Sequence, residues 1–130
     1  MRTLIVEDDF TSRLLLQSFL ARYGECHIAV NGKEAVAAFR AAQESGQPYD
    51  LICMDIMMPE MDGQTAAKEI RALEEARGTL STDGVKIIMT TALDDVKNVI
   101  ASFKALCDAY LFKPIDTGML LGHIKQMHLT

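Results

Sequence analysis

Five short apolar runs punctuate the chain: Leu4-Ile5-Val6, Ile28-Ala29-Val30, Leu51-Ile52-Cys53-Met54, Ile87-Ile88-Met89 and Ala109-Tyr110-Leu111-Phe112. None alternates with polar residues, and continuous runs of this length are expected of strands buried on both faces. The stretches between them carry apolar residues at helical spacing. The first, about 10–23, uses Phe10, Leu14, Phe19 and Tyr23, and the second follows a cap at Asn31-Gly32 with Ala35, Val36, Phe39 and Ala42. The third, about 64–77, uses Ala66, Ala67, Ile70 and Leu73. The fourth, about 95–107, uses Val96, Val99, Ile100, Phe103 and Cys107, and the fifth, about 117–128, uses Leu120, Ile124 and Met127.

Five alternations of strand and helix predict an α/β fold, a parallel sheet covered on both faces by helices. Right-handed crossovers leave few ways to connect it. The longest gap contains RGTLSTDG at 77–84, a surface loop rather than a linker, so one domain accounts for residues 1–130.

Composition narrows the function classes. At 49% hydrophobic and 24% charged, 130 residues suit a folded core and argue against disorder. A formal net charge of -5 argues against direct nucleic-acid binding, which needs a basic patch. No stretch approaches the ~20 apolar residues that span a bilayer. The opening MRTLIVEDD places acids where a signal peptide needs an apolar segment. The expectation is a cytoplasmic chain with no membrane insertion. Cys26, Cys53 and Cys107 are too few and too widely spaced for a disulfide framework or a CxxC metal site, and read as reduced packing thiols. His27, His123 and His128 show no metal spacing, and the eight methionines read as packing.

In open α/β sheets ligands gather at the carboxyl ends of the strands. The first strand ends in Glu7-Asp8-Asp9, the third in Asp55, the fourth in Thr90-Thr91 and the fifth in Lys113-Pro114. Two carboxylates about 4 Å apart repel by roughly 4 kcal/mol at an effective dielectric of about 20. If Asp8, Asp9 and Asp55 meet, they must be spread out, partly protonated or neutralised. Lys113 brings one positive charge, and oxygen-only ligands favour Mg²⁺ for more. Such a site suits phosphoryl transfer, with Asp55 attacking phosphorus, Thr91 bonding the phosphate and small Ala92 leaving the approach open. Each residue alone has a plainer reading. Asp8 or Asp9 could cap the first helix, Asp55 could open the turn before Pro59, Thr91 could be a strand-end hydroxyl, and Lys113 could be solvated.

Taken together, LIVEDD at 4–9, NGKEA at 31–35, DLICMDIMMPEMDG at 50–63, IIMTTA at 87–92 and YLFKP at 110–114 resemble the receiver domain of bacterial two-component response regulators. The resemblance covers essentially the whole chain and implies a (βα)5 doubly wound sandwich with sheet order 2-1-3-4-5. It implies that Asp55 takes a phosphoryl group from a sensor histidine kinase or a phosphotransfer protein. Asp8, Asp9, Asp55 and the Met57 carbonyl would hold Mg²⁺, and Thr91, Ala92 and Lys113 would meet the phosphate. Thr91 and Tyr110 would form the switch, and the Lys113–Pro114 bond would be cis. Phosphorylation would change the face made by the fourth helix, fifth strand and fifth helix, where a downstream protein binds. A phosphorylation-dependent homodimer is left open.

Apart from its own phosphoryl transfer and self-dephosphorylation, no enzyme activity is expected. Met57 and Leu93 stand two places after Asp55 and Thr91, where polar residues could orient a hydrolytic water, so slow phosphate loss is expected. A phosphorelay carrier is an alternative. An aspartate-nucleophile phosphohydrolase would want a second acid where Met57 stands. A nucleotide- or flavin-binding module would want glycines after the first strand, where the sequence has Glu7-Asp8-Asp9 and no glycine before Gly24. The chain ends soon after the fifth helical stretch, so no output domain is expected in it.

Overall fold

The computed structural model describes residues 1–58, 60–79, 83–92 and 106–130. The expected fourth helix therefore lies outside the described residues apart from its last positions, as do Pro59 and Leu93. The remaining elements run β1 (Thr3–Val6), α1 (Phe10–Leu20), β2 (Cys26–Ala29), α2 (Gly32–Glu44), β3 (Leu51–Asp55), α3 (Gly63–Ala76), β4 (Lys86–Ala92), β5 (Ala109–Lys113) and a C-terminal helix (Thr117–Gln126). All strand pairs are parallel, in the order β2-β1-β3-β4-β5.

The register explains the layers. Ile5, Cys53, Ile88 and Ala109 form one row across β1, β3, β4 and β5. They share a core with Leu16 and Leu20 of α1 and Leu120 and Ile124 of the C-terminal helix. The alternate row, Val6, Met54 and Met89, packs on the other face against Ala35, Val36 and Phe39 of α2 and Ala66, Ala67 and Ile70 of α3. Each of the valine, leucine, isoleucine, methionine and phenylalanine side chains among them contributes roughly 1.5–3 kcal/mol by leaving water. Four helices start on an acid or amide at the N-cap. Asp9, Asn31, Asp62 and Asp116 accept backbone N–H groups from Ser12, Glu34, Thr65 and Gly118, respectively. Each supplies a partner to a donor that the helix leaves unpaired.

Two expectations need correction. The second strand covers Cys26–Ala29 rather than 28–30, because β2 is an edge strand paired only with β1, from Thr3↔Cys26 to Val6↔Ala29. Its Ile28 and the following Val30 are partly exposed rather than buried. On α1, the buried stripe is Leu16 and Leu20, whereas Phe10 is 65% exposed and Leu14 50%. A helix with so many leucines offers two apolar faces, and only one meets the sheet.

Candidate functional site

The carboxyl ends of β1, β3 and β5 deliver their charges to one place. One step beyond the Val6–Met54 pair, Glu7 comes opposite Asp55, which in turn pairs with Thr90. Glu7, Asp55 and Thr90 therefore continue the row of Ile5, Cys53 and Ile88. Lys113 follows Leu111 on the same face of β5. Its Nζ lies 2.8 Å from Glu7 Oε1 and 3.3 Å from Asp55 Oδ2. The first contact is an ion pair without hydrogen-bond geometry, so Glu7 Oε1 keeps unused acceptor capacity. The Met57 N–H donates to Asp55 Oδ1 at 3.4 Å, and the Asp9 N–H donates to Glu7 Oε2 at 3.3 Å.

Gly63 fixes the far side of β3. Its N–H donates to the Ile56 carbonyl at 2.9 Å, and a Cβ there would collide with the Asp55 carbonyl oxygen. That closeness explains a glycine as the first residue of α3.

Burial sets the electrostatics. Glu7 is fully buried and Asp55 only 6% exposed. Desolvation pushes the Asp55 carboxyl up to about 7, helped by a hydrogen bond that protonated Asp55 donates to Glu7 and by the charge of Glu7, while Lys113 opposes the rise. Burial depresses the Lys113 ammonium, but Glu7 and Asp55 outweigh it and hold the group above its ordinary value. Glu7 and Asp55 thus form a pair whose second charge is costly without further positive charge.

Among the described residues, Glu7, Asp8 and Asp55 place carboxylate oxygens within 4.8 Å of one another, close enough to share a metal ion. The donors are all oxygens, one acid is exposed to water, and the buried pair carries an unmet charge. This set fits a hard divalent cation such as Mg²⁺. The acid that joins Asp8 and Asp55 is Glu7, not Asp9. Asp9 is the N-cap of α1, accepting from Ser12 N at 2.9 Å, and that bond lowers its carboxyl. The physical reason is strand parity. Glu7 falls on the face that already carries Ile5, and by Asp9 the chain has left the strand. The buried acid was the one passed over, because a fully buried glutamate is rare unless it is paired.

The other expected residues stand as follows. Thr91 is buried, one residue nearer the rim than Thr90, and neither hydroxyl has a hydrogen-bond partner among the described residues. Ala92 is exposed at the end of β4. Tyr110 is half-buried against the α2–α3 side of the sheet and stacks edge-on with Phe112 at 5.4 Å. The Lys113–Pro114 peptide is cis. The Met57 side chain is 64% exposed at the mouth of the site.

Comparison with known proteins agrees with this geometry. The family model described as "Response regulator receiver domain" matches residues 3–125. The chain is 32% identical over 127 residues to the transcriptional regulatory protein AruR of Pseudomonas aeruginosa, covering 97% of this chain and 48% of that protein. It therefore spans about half the length of that relative. Among solved structures, it resembles the receiver domain of the Saccharomyces cerevisiae response regulator Ssk1, crystallised with the histidine phosphotransfer protein Ypd1 (TM-score 0.83, 31% identity, 98% of this chain and 88% of that one). It also resembles the receiver domain of the Arabidopsis thaliana histidine kinase CKI1, crystallised with Mg²⁺ and BeF3⁻ (TM-score 0.82, 31% identity, 99% and 90%). With a parallel sheet of order 2-1-3-4-5, an acidic group at its carboxyl rim and a family match along nearly its whole length, the chain belongs to the response regulator receiver domains of two-component systems.

Proposed function

We propose that Asp55 accepts a phosphoryl group from a phosphohistidine on a sensor kinase or phosphotransfer protein. The observation that carries this is the convergence of Glu7, Asp8, Asp55 and Lys113 from three strands. An Asp55 oxygen attacks phosphorus as the P–N bond breaks. The electron pair of that bond returns to the imidazole nitrogen, which takes up a proton. Lys113 holds the carboxylate in place and balances the charge that passes to the phosphoryl oxygens. Thr91 donates its unused hydroxyl to the transferred group, and Ala92 leaves room beside it. Glu7, Asp8 and Asp55, with the Met57 carbonyl, would hold Mg²⁺. When bound, the ion supplies positive charge against the three carboxylates and the developing phosphoryl charge.

Exposed Phe10, Leu14 and Met57 flank the mouth of the site and favour a protein donor over a small ester. Met57 also stands where a hydrolase of this kind would need its second acid, which disfavours phosphohydrolase turnover. The aspartyl phosphate adds about 1.5 to 2 negative charges. Thr91 and Tyr110 would transmit that change to the groove of about 420 Å³ between β5 and the C-terminal helix. This groove, lined by Tyr110, Phe112, Met119 and His123, is the proposed surface for a downstream protein. The setting for such an exchange is the cytoplasm.

The test is intact mass spectrometry after incubation with acetyl phosphate and Mg²⁺. The wild type should gain one phosphoryl group and Asp55→Asn none. An adduct that survives in the variant would overturn the assignment.

A further inference from the structure

We infer that Thr90 is a positioning residue for phosphoryl transfer, its hydroxyl holding Asp55 and Lys113 in place when the ion pair between them is broken. The inference rests on Asp55 being the phosphoacceptor. Thr90 is the cross-strand partner of Asp55 in the β3–β4 register. Strand alternation puts it on the face of Cys53, Ile88 and Leu111, below α1 and the C-terminal helix. That is the face of Glu7 and Lys113. Neighbouring strands lie roughly 4.7–4.9 Å apart, which brings paired side chains on one face within reach of a hydroxyl.

Stability does not account for this hydroxyl. Thr90 is 1% exposed, its Oγ1 has no hydrogen-bond partner among the described residues, and a buried unpaired hydroxyl destabilises a fold relative to valine of the same shape. Thr91, one residue nearer the rim of β4, is assigned to the transferred group itself, so the contact beneath it falls to Thr90. The contacts that now hold Asp55 are long, 3.3 Å to Lys113 and 3.4 Å to the Met57 N–H. With acetyl phosphate as donor, the P–O bond breaks and acetate leaves with its electron pair while an Asp55 oxygen bonds to phosphorus. The remaining Asp55 oxygen becomes a neutral carbonyl, and Lys113 loses its attraction to it. A hydroxyl can donate to that carbonyl or accept from the ammonium, which stays paired with Glu7. Thr90 is the paired neighbour with that capacity unused.

The experiment compares wild type, Thr90→Val and Thr90→Ser in acetyl phosphate labelling at saturating Mg²⁺, with thermal melts alongside. The valine variant should melt no lower than wild type, yet label about ten-fold more slowly at saturation, with the half-saturating acetyl phosphate concentration unchanged. Serine should recover most of the rate. Thr90→Ala reads the same way should the valine variant fold poorly. A valine variant labelling at the wild-type rate, or serine no better than valine, overturns the role of Thr90 alone. A wild type that takes no label at Asp55 removes the phosphoacceptor reading and the Thr90 inference with it.

Discussion

The sheet carries a buried charged cluster at each end, and they are finished differently. At the amino end, Arg71 of α3 pairs with Glu74 at 2.8 Å and Asp108 at 3.0 Å, and donates to the carbonyls of Val85 at 2.6 Å and Leu106 at 2.9 Å. Glu74 accepts the Val85 N–H at 2.6 Å, and Asp108 accepts the Ile87 N–H at 2.8 Å. Two acids share one arginine there, yet the cluster is saturated with hydrogen bonds. At the carboxyl end, Thr90 Oγ1 and Thr91 Oγ1 are buried without hydrogen-bond partners among the described residues, Glu7 Oε1 is met by the Lys113 ammonium, and Asp55 is held by long contacts. A cluster that only holds the fold together closes its polar groups. A cluster that must receive a charged group leaves capacity open, at a cost in stability of roughly 1–3 kcal/mol per buried orphan.

The largest expected effect tests the closed end. Arg71→Met leaves Glu74 buried with an unbalanced charge, and should lower the urea-derived stability by about 3 kcal/mol. Lys113→Met at the open end should cost less, about 1 kcal/mol, because Asp55 can take up a proton once the ammonium is gone. Equal losses would erase the proposed distinction. An effect of opposite sign is expected at Asp55. Its folded value is raised from 3.8 to about 7, so the folded chain keeps a proton that the unfolded chain releases. That contribution is fully present below pH 4 and is lost as pH rises through 7. Without Mg²⁺, Asp55→Asn should therefore be more stable than wild type at pH 8, by about 1–2 kcal/mol after allowance for solvent screening, and no more stable at pH 4. Chemical denaturation at both pH values checks the sign.

These two ends were not equally legible in the sequence. The strand rows at 4–6, 51–54, 87–89 and 109–112 announce themselves by continuous apolar character, and the rim follows because parallel strands end together. The Arg71 network has no comparable signal. Arg71 and Glu74 are ordinary helical neighbours, and Asp108 lies 37 residues away from Arg71. Only the fold brings it to the start of β4. The α1 faces failed for another reason. Phe10 and Leu14 follow the apolar spacing, but spacing does not say which of two apolar stripes the sheet covers. The shift from Asp9 to Glu7 is a parity effect that becomes visible once Val6 is known to end β1. A further signal was at hand, since Asp9-Phe10-Thr11-Ser12 has the form of a helix start with an acid at the cap.

The open end should also admit water under control. Met57 is exposed at its mouth and offers only a weak thioether acceptor to orient a nucleophilic water. Met57→Asn is expected to speed loss of the aspartyl phosphate about five-fold, read from phosphate release after removal of the donor. An unchanged lifetime would mean that access is limited elsewhere.

The smallest effect separates the two acids most easily confused. Asp9→Ala removes the α1 cap and should cost roughly 0.5–1 kcal/mol, about equally with and without Mg²⁺. Binding to the folded state alone stabilises it by about 1.4 kcal/mol at ten times the dissociation constant. If Glu7, Asp8 and Asp55 hold the ion, Asp9→Ala should retain that Mg²⁺-dependent rise in melting temperature and Glu7→Gln should lose most of it. The reverse pattern would return Asp9 to the metal site and leave Glu7 as the partner of Lys113. Removing Asp9 deletes a hydrogen bond at a helix end, and neutralising Glu7 deletes a charge that the buried row cannot hold without help. The Mg²⁺-dependent part of the melting curve therefore reports on one acid, and the Mg²⁺-independent part on the other.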